Sequence, residues 1–329
     1  MTPAALAELE TPYLVADIGG TNARFAMASR AGEITAVETL RCADYPDIVT
    51  ACRRYLEIAK PAETPVAGCV SVACPVQDDE IRLTNNPWRF SREATRRALE
   101  FNRLAVINDF TAQALAVPNL VPTDVTRIGE GTPLDDAAIA VIGPGTGLGV
   151  SGLIPHAGGW AAISGEGGHV TWAPADERER AVHAQLRERY THISAERIVS
   201  GPGLELLYDT LREIQSGDAP DRDAASIMAS ASEGCCPVAS AAVDVFFSAL
   251  GGLAGDLALT LGAHGGVYVC GGIVARHVEL LAASSFRARF LAKGRFDTYL
   301  ADVPTFAVVN PISGLVGAAA ALADADRTT

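Results

Sequence analysis

A glycine-rich turn flanked by apolar, β-prone runs occurs twice in this chain. The first copy reads Leu14-Val15-Ala16-Asp17-Ile18-Gly19-Gly20-Thr21-Asn22-Ala23-Arg24-Phe25, and the second Ala140-Val141-Ile142-Gly143-Pro144-Gly145-Thr146-Gly147-Leu148-Gly149-Val150. Each predicts a β-hairpin with a small, uncrowded tip. Glycine lets a ligand come close to backbone N–H groups and threonine adds a hydroxyl donor, so such a tip suits phosphate oxygens. Two tips in one chain suggest two halves of a clamp on one polyphosphate, and therefore a two-lobed phosphotransferase.

The composition narrows the class. A length of 329 residues gives room for two domains, and 49% hydrophobic with 20% charged residues suits a globular protein with a large core. The net charge of −13 argues against nucleic acid or an anionic membrane as the main partner, so an anionic nucleotide must be held by local N–H donors and a metal ion. Of 26 basic residues only Lys60 and Lys293 are lysines, and neither follows a glycine-rich turn. That excludes a P-loop, which needs G-x-x-x-x-G-K-[ST], and a protein kinase, which needs its β3 lysine. The 7 cysteines form no CxxC pair and no zinc spacing; those at 69, 74 and 270 sit in apolar runs and predict buried thiols in a reducing cytoplasm. Met1 to Thr11 is short and acidic and does not read as a signal peptide. The apolar stretch from Val243 to Leu261 is interrupted by Asp244, Asp256 and glycines, which predicts a buried core helix and not a membrane span.

Strands are expected near Leu14, Phe25 and Val37, over Val66–Val72 and Ile81–Leu83, and at Leu104–Ile107. Helices are expected from about Tyr45 to Ile58 and over Thr111–Val117, with Ser91 as an N-cap. Pro118, Pro122 and Gly129–Pro133 make a loop-rich break and the natural domain boundary. The pattern then restarts with strands at Ala137–Ile142 and Leu148–Ile154 and helices at Glu177–Arg189 and Leu204–Leu211. A polar loop at Gly217–Asp223 and a long helix at Pro237–Leu261 follow, with strands at Val267–Val269 and Thr305–Val309 and a last helix at Gly314–Leu322.

Several constellations could carry chemistry. The Gly143–Gly149 turn fails the G-x-G-x-x-G dinucleotide pattern, because Leu148 stands at the third glycine position and the segment runs on into a strand. Asn108-Asp109 closes a buried strand, where ligands gather in α/β sheets; Asp109 could accept a proton from a hydroxyl, or simply cap the next helix. Glu166-Gly167-Gly168-His169 sets a carboxylate and an imidazole among small residues, which suits vicinal hydroxyls of a sugar as well as it suits a surface turn. Glu196 reads alone as a helix-start glutamate, and Cys270-Gly271-Gly272 as a βα turn flat enough to pass under a base.

Taken in order, these segments resemble the bacterial glucokinase family of the sugar kinase/actin/heat-shock ATPase superfamily. The resemblance rests on Asp17-Ile-Gly-Gly-Thr-Asn-Ala-Arg24, Ile107-Asn-Asp-Phe-Thr-Ala112, Gly143–Gly149, Ser164-Gly-Glu-Gly-Gly-His169, Ser194-Ala-Glu-Arg197 with Ser200-Gly-Pro-Gly203, and Gly265–Ile273. It implies an α/β, two-lobed actin-like ATPase (ribonuclease H-like) fold, with mixed sheets flanked by helices and a cleft between lobes. The small domain would comprise 1–119 plus 311–329, because the last helix folds back, and the large domain 120–310. The implied activity is phosphorylation of glucose at its 6-hydroxyl by ATP. Asp109 would be the general base, and Asn108, Glu166, His169 and Glu196 would bind the other hydroxyls. Asp17 would help hold Mg²⁺ through water. Gly19, Gly20, Thr21, Asn22, Gly145, Thr146 and Gly147 would hold the phosphates, with Gly271 and Gly272 near the adenosine. The resemblance also implies a cytoplasmic homodimer. Pro144 departs from the expected smaller residue and removes one N–H from the second turn. A kinase for mannose, glucosamine or N-acetylmannosamine, a non-catalytic sugar sensor and a filament-forming relative remain as alternatives. No cysteine-rich zinc stretch and no helix-turn-helix region before Leu14 is matched.

Overall fold

A computed structural model describes residues 12–84, 86–156, 159–215 and 220–327. Its strands are β1 (Tyr13–Ile18), β2 (Asn22–Ala28), β3 (Ile34–Arg41), β4 (Ala67–Val72), β5 (Glu80–Arg82), β6 (Arg89–Ser91), β7 (Arg103–Asn108), β8 (Val125–Gly129), β9 (Ile139–Pro144), β10 (Leu148–His156), β11 (Gly159–Gly165), β12 (Val267–Val269) and β13 (Thr305–Val308). Its helices are α1 (Ile48–Ala59), α2 (Arg92–Ala98), α3 (Asp109–Ala116), α4 (Glu177–Arg187), α5 (Ala195–Ile198), α6 (Gly201–Ile214), α7 (Ala224–Ser232), α8 (Pro237–Leu261), α9 (Gly272–Arg276), α10 (Val278–Ala283), α11 (Phe286–Leu291), α12 (Asp297–Ala301) and α13 (Ser313–Arg327). The chain divides into two compact units, one drawn from Met1–Leu120, His156–Ala162 and Ile312–Thr329, the other from Val121–Pro155 and Ile163–Pro311.

In the first unit the strand order is β3-β2-β1-β4-β7. β1 and β2 are the expected antiparallel hairpin, while β1, β4 and β7 run parallel with Ile18, Val72 and Asn108 in register. β4 is buried along its whole length, as a central parallel strand requires, whereas β3 is an exposed edge. The helix expected from Tyr45 begins at Ile48, because the Asp47 side chain caps it by accepting from the Thr50 N–H; Ile48, Ala51, Cys52 and Tyr55 then form its buried stripe. Ser91 caps α2 as its sequence position suggests, accepting from Ala94 N–H. α13 extends beyond the expected Leu322 and packs on α3, β1 and β4. A Cβ on Gly317 would overlap the Ala112 carbonyl, so the two helix backbones meet where only glycine fits.

The six-stranded order β11-β10-β9-β12-β13-β8 forms the second sheet. β9 and β10 are the second antiparallel hairpin, and β9, β12 and β13 run parallel. α8 spans the expected residues, opened by Pro237 and closed by Gly262 in the left-handed region. It is long and apolar enough to cross a membrane, yet 78% of its apolar window is buried against α6, α7, α11 and β9, as a core helix is. Part of the expected loop-rich break is strand: β8 pairs antiparallel with β13. β11, α7 and the short helices α10–α12 also lack a sequence signal in our reading, whereas α9 follows the βα turn expected at Cys270-Gly271-Gly272. Residues 217–219 of the expected polar loop and Met1–Thr11 lie outside the described residues. The cysteines are all free; Cys235 is exposed and the other six are buried.

Candidate active site

In the first unit, Asp17 and Asn108-Asp109 stand at the carboxyl ends of β1 and β7, two parallel strands that flank β4, where open α/β sheets bind ligands. The Asn108 side chain caps α3, accepting from Phe110 N–H (2.9 Å) and Thr111 N–H (3.3 Å), and donates to Cys74 O at 3.3 Å. With Asn108 as the cap, the Asp109 carboxylate accepts from Phe110 N–H at 2.9 Å. Burial first, and the Asp17 charge second, push its carboxyl up to about 6. Burial also raises the Asp17 carboxyl, opposed by Ser71 and by the Arg24 charge. Ser71 Oγ–H donates to Asp17 Oδ1 at 2.8 Å, across the β1–β4 pair. On another side Gly314, in the first turn of α13, packs so closely that a Cβ would lie 2.9 Å from Asp17 Oδ2.

The first tip is fastened by its own unit. Gly19 N–H donates to Asn22 O at 2.9 Å, and Gly19 O accepts from Asn86 Nδ2 at 3.1 Å. Thr21 O accepts from Cys42 N–H at 2.9 Å, which leaves the Thr21 and Asn22 side chains exposed beside the half-exposed Gly19 and Gly20.

The second unit gathers the remaining expected residues. Gly145 N–H donates to Gly147 O at 2.7 Å, closing the second turn, and Thr146 is exposed at its tip. Pro144 pairs with Leu148 as the last buried residue of β9. Gly271, at φ +99°, packs on the Pro144 carbonyl, so the Cys270-Gly271-Gly272 turn lies against the base of this hairpin. The turn holding Glu166 and His169 rests on β10, where a Cβ on Gly168 would overlap the Leu148 carbonyl. Both side chains are exposed. Beyond that turn, Ala195 N–H donates to Val170 O (2.8 Å) and Trp172 N–H to Ile193 O (3.0 Å), which brings α5 and its Glu196 beside the same loop. Glu196 is more than a helix-start residue: its Oε2 accepts from Leu148 N–H at 2.9 Å. A cavity of about 480 Å³ opens beside it, lined by Thr146, Tyr190, Arg197, Ser200 and Leu206 among others. There the Arg197 guanidinium lies 3.9 Å from the Tyr190 ring centroid.

The structure thus groups Asp17, Asn108 and Asp109 in one unit, and Glu166, His169, Glu196, Gly145–Gly147 and Gly271-Gly272 in the other. Sequence reasoning missed Ser71, Asn86 and Gly314. Only Ser71 leaves a trace, as the lone hydroxyl in an otherwise apolar buried strand.

The family model for Glucokinase matches residues 14–325. The chain is 46% identical over 323 residues to the "Bifunctional protein glk" of Paraburkholderia xenovorans, covering 98% of this chain but only 50% of that relative. It is 47% identical over 312 residues to the glucokinase of Paramagnetospirillum magneticum, covering 94% and 97% of the two chains. Among solved structures, the glucokinase from an Antarctic psychrotroph superimposes with a TM-score of 0.86 at 39% identity, over 94% of this chain and 98% of the other.

Proposed function

The chain belongs to the glucokinase family, and from that premise we propose that it transfers the γ-phosphoryl group of ATP to the 6-hydroxyl of glucose. The observation that supports this best is the Asp109 carboxyl, held at a strand end and pushed up to about 6, ionised at neutral pH yet basic enough to take a proton. In this reading Asp109 accepts the 6-hydroxyl proton as that oxygen bonds to the γ-phosphorus, and the β,γ-bridging oxygen leaves with ADP. Asn108, Glu166, His169 and Glu196 fix the other hydroxyls, since phosphoryl transfer depends mainly on positioning and charge. Gly19, Gly20, Thr21 and Asn22, with Gly145, Thr146 and Gly147, offer donors to the phosphates. The nucleoside runs past Gly271 and Gly272.

The residues also fit a magnesium ion. Asp17 offers a carboxylate beside the phosphate turn, and no group of three or more His, Cys, Asp or Glu that could hold a metal occurs among the described residues. That suits an ion carried by one carboxylate, water and substrate phosphates. Asp17 would hold it through water, and its charge would offset that of the phosphate oxygens. We further take 1–119 plus 311–329 as the small domain, 120–310 as the large domain, and the working form as a cytoplasmic homodimer. A monomer mass by light scattering would remove the dimer.

The test is ADP release from MgATP and glucose, run beside Asp109→Ala. Strong glucose-dependent release that the substitution abolishes is expected. Release with mannose or glucosamine alone would move the substrate, and silence with every hexose would leave a sugar-binding sensor.

A further inference from the structure

We propose that Glu196 is a positioning residue for the second phosphate turn as well as a sugar contact, so that sugar and nucleotide affinities are coupled through one carboxylate. The proposal rests on the functional reading above. Its evidence is the way α5 and the start of α6 hold the turn. Glu196 Oε2 accepts from Leu148 N–H at 2.9 Å, and Gly201 N–H donates to Gly145 O at 2.8 Å. The residues on either side of Thr146 are therefore tethered to the 196–201 segment, one by a side chain and one by backbone.

Gly147 is the witness to this contact. A Cβ there would overlap Glu196 Oε2 and come within 3.2 Å of its Cδ, whereas a Cβ on Gly145 would meet nothing within 4 Å. Gly145 faces open space, whereas Gly147 is small because a carboxylate occupies the place of a side chain. Among the described residues Oε1 of Glu196 has no hydrogen-bond partner, while Oε2 has one. One oxygen is thus committed to the turn and the other is available to a hydroxyl donor.

A sugar hydroxyl on Oε1 restricts the carboxylate to the rotamer that also receives Leu148 N–H. The ordering cost of the turn is then met on sugar binding, and a nucleotide arriving second finds Thr146 and its neighbours already fixed. Coupling is reciprocal, so nucleotide must tighten sugar binding by the same factor. The expected factor is at least about fivefold, the lower end of ordinary coupling between sites.

The experiment is calorimetric titration of a non-hydrolysable ATP analogue, with and without glucose, into the wild-type chain, Glu196→Gln and Glu196→Ala. Glutamine keeps an oxygen for Leu148 N–H, so Glu196→Gln should hold the sugar-free nucleotide affinity within about twofold. Glu196→Ala should weaken it at least about fivefold and abolish the enhancement by glucose. Wild-type nucleotide affinity in sugar-free Glu196→Ala would overturn the proposal and leave Glu196 a sugar contact alone. Gly147→Ala supplies a second arm: alone it should weaken nucleotide binding, but on the Glu196→Ala background it should add little, because the clashing carboxylate is gone. Additive losses would also overturn the proposal. A wild-type chain that binds the analogue but phosphorylates no hexose would sink the functional reading while leaving the sugar-free comparison intact.

Discussion

The two glycine-threonine hairpins are built alike and used differently. The first ends a strand whose penultimate residue is Asp17, and a second carboxylate, Asp109, follows β7 on the far side of β4, near enough for the Asp17 charge to act on it. Each of these acids is raised by burial, and Asp109 also by the charge of the other. The second hairpin ends in Gly143-Pro144 and carries no acid of its own; the nearby carboxylate, Glu196, is turned onto backbone N–H and thereby spent on shaping the tip. One hairpin concentrates negative charge at some cost in stability, and the other spends a charge to hold a set of donors. Similar turn sequences therefore do not imply similar electrostatics, because the residue before the glycines and the partner across the sheet decide it.

The sharpest way to break this contrast is Asp109→Asn. Turnover should fall by roughly 10²–10⁴ if Asp109 is the base. Stability should move the other way. Because its folded carboxyl lies above the ordinary value of 3.8, the ionised form costs stability that is absent below about pH 4 and fully felt above about pH 6. Asparagine relieves on the order of 2–3 kcal/mol of that cost at pH 7.5, so the melting temperature should rise by a few degrees. A variant that is inactive and also less stable would show that burial of this charge is not a strain on the fold.

In the second unit the corresponding damage is steric. Gly168→Ala should cost about 1–3 kcal/mol of stability by pushing the Glu166–His169 turn off β10, with a raised KM for sugar. Gly145→Ala, which meets open space, should leave stability within about 0.5 kcal/mol in chemical denaturation. Equal effects at the two glycines would contradict the packing described.

The pH profile is a milder test. Since Asp109 must be ionised to act, kcat/KM should fall as pH drops through about 6, losing roughly tenfold for each further unit. A plateau extending down to pH 4.5 would mean that the rate does not report this carboxyl. The smallest effect should come from Ser71→Ala, which removes one neutral donor from Asp17. About a threefold to tenfold loss in kcat/KM is expected, in line with the net worth of one ordinary hydrogen bond, and Ser71→Thr should restore part of it.

Much of the fold was legible because its signals are local. Both hairpins announce themselves as apolar runs around glycine, Ser91 as a cap, and α8 through Pro237 at one end and Gly262 at the other. β8 was read as loop because its short Val-Thr-Arg-Ile-Gly run becomes a strand only by pairing with β13, far along the chain. The same division holds at the site. Asp17 and Asn108-Asp109 are marked by strand ends, whereas Ser71 and Asn86 act on partners 54 and 67 residues away, which no periodicity encodes. Glu196 was singled out, but its bond to Leu148, 48 residues distant, was not.

The return of α13 to the first unit also sets a timetable. Ser313 Oγ–H donates to Gln113 Oε1 at 2.8 Å across 200 positions of sequence, and Gly314 lies against Asp17. During synthesis, α3 and the carboxylate end of β1 emerge early and wait for the whole intervening unit to be translated before their covering helix arrives, some tens of seconds at roughly 5–20 residues per second. A nascent chain can therefore carry Asp17 and Asp109 while still lacking α13, so the surroundings of residues made early are completed by a helix made some 200 positions later.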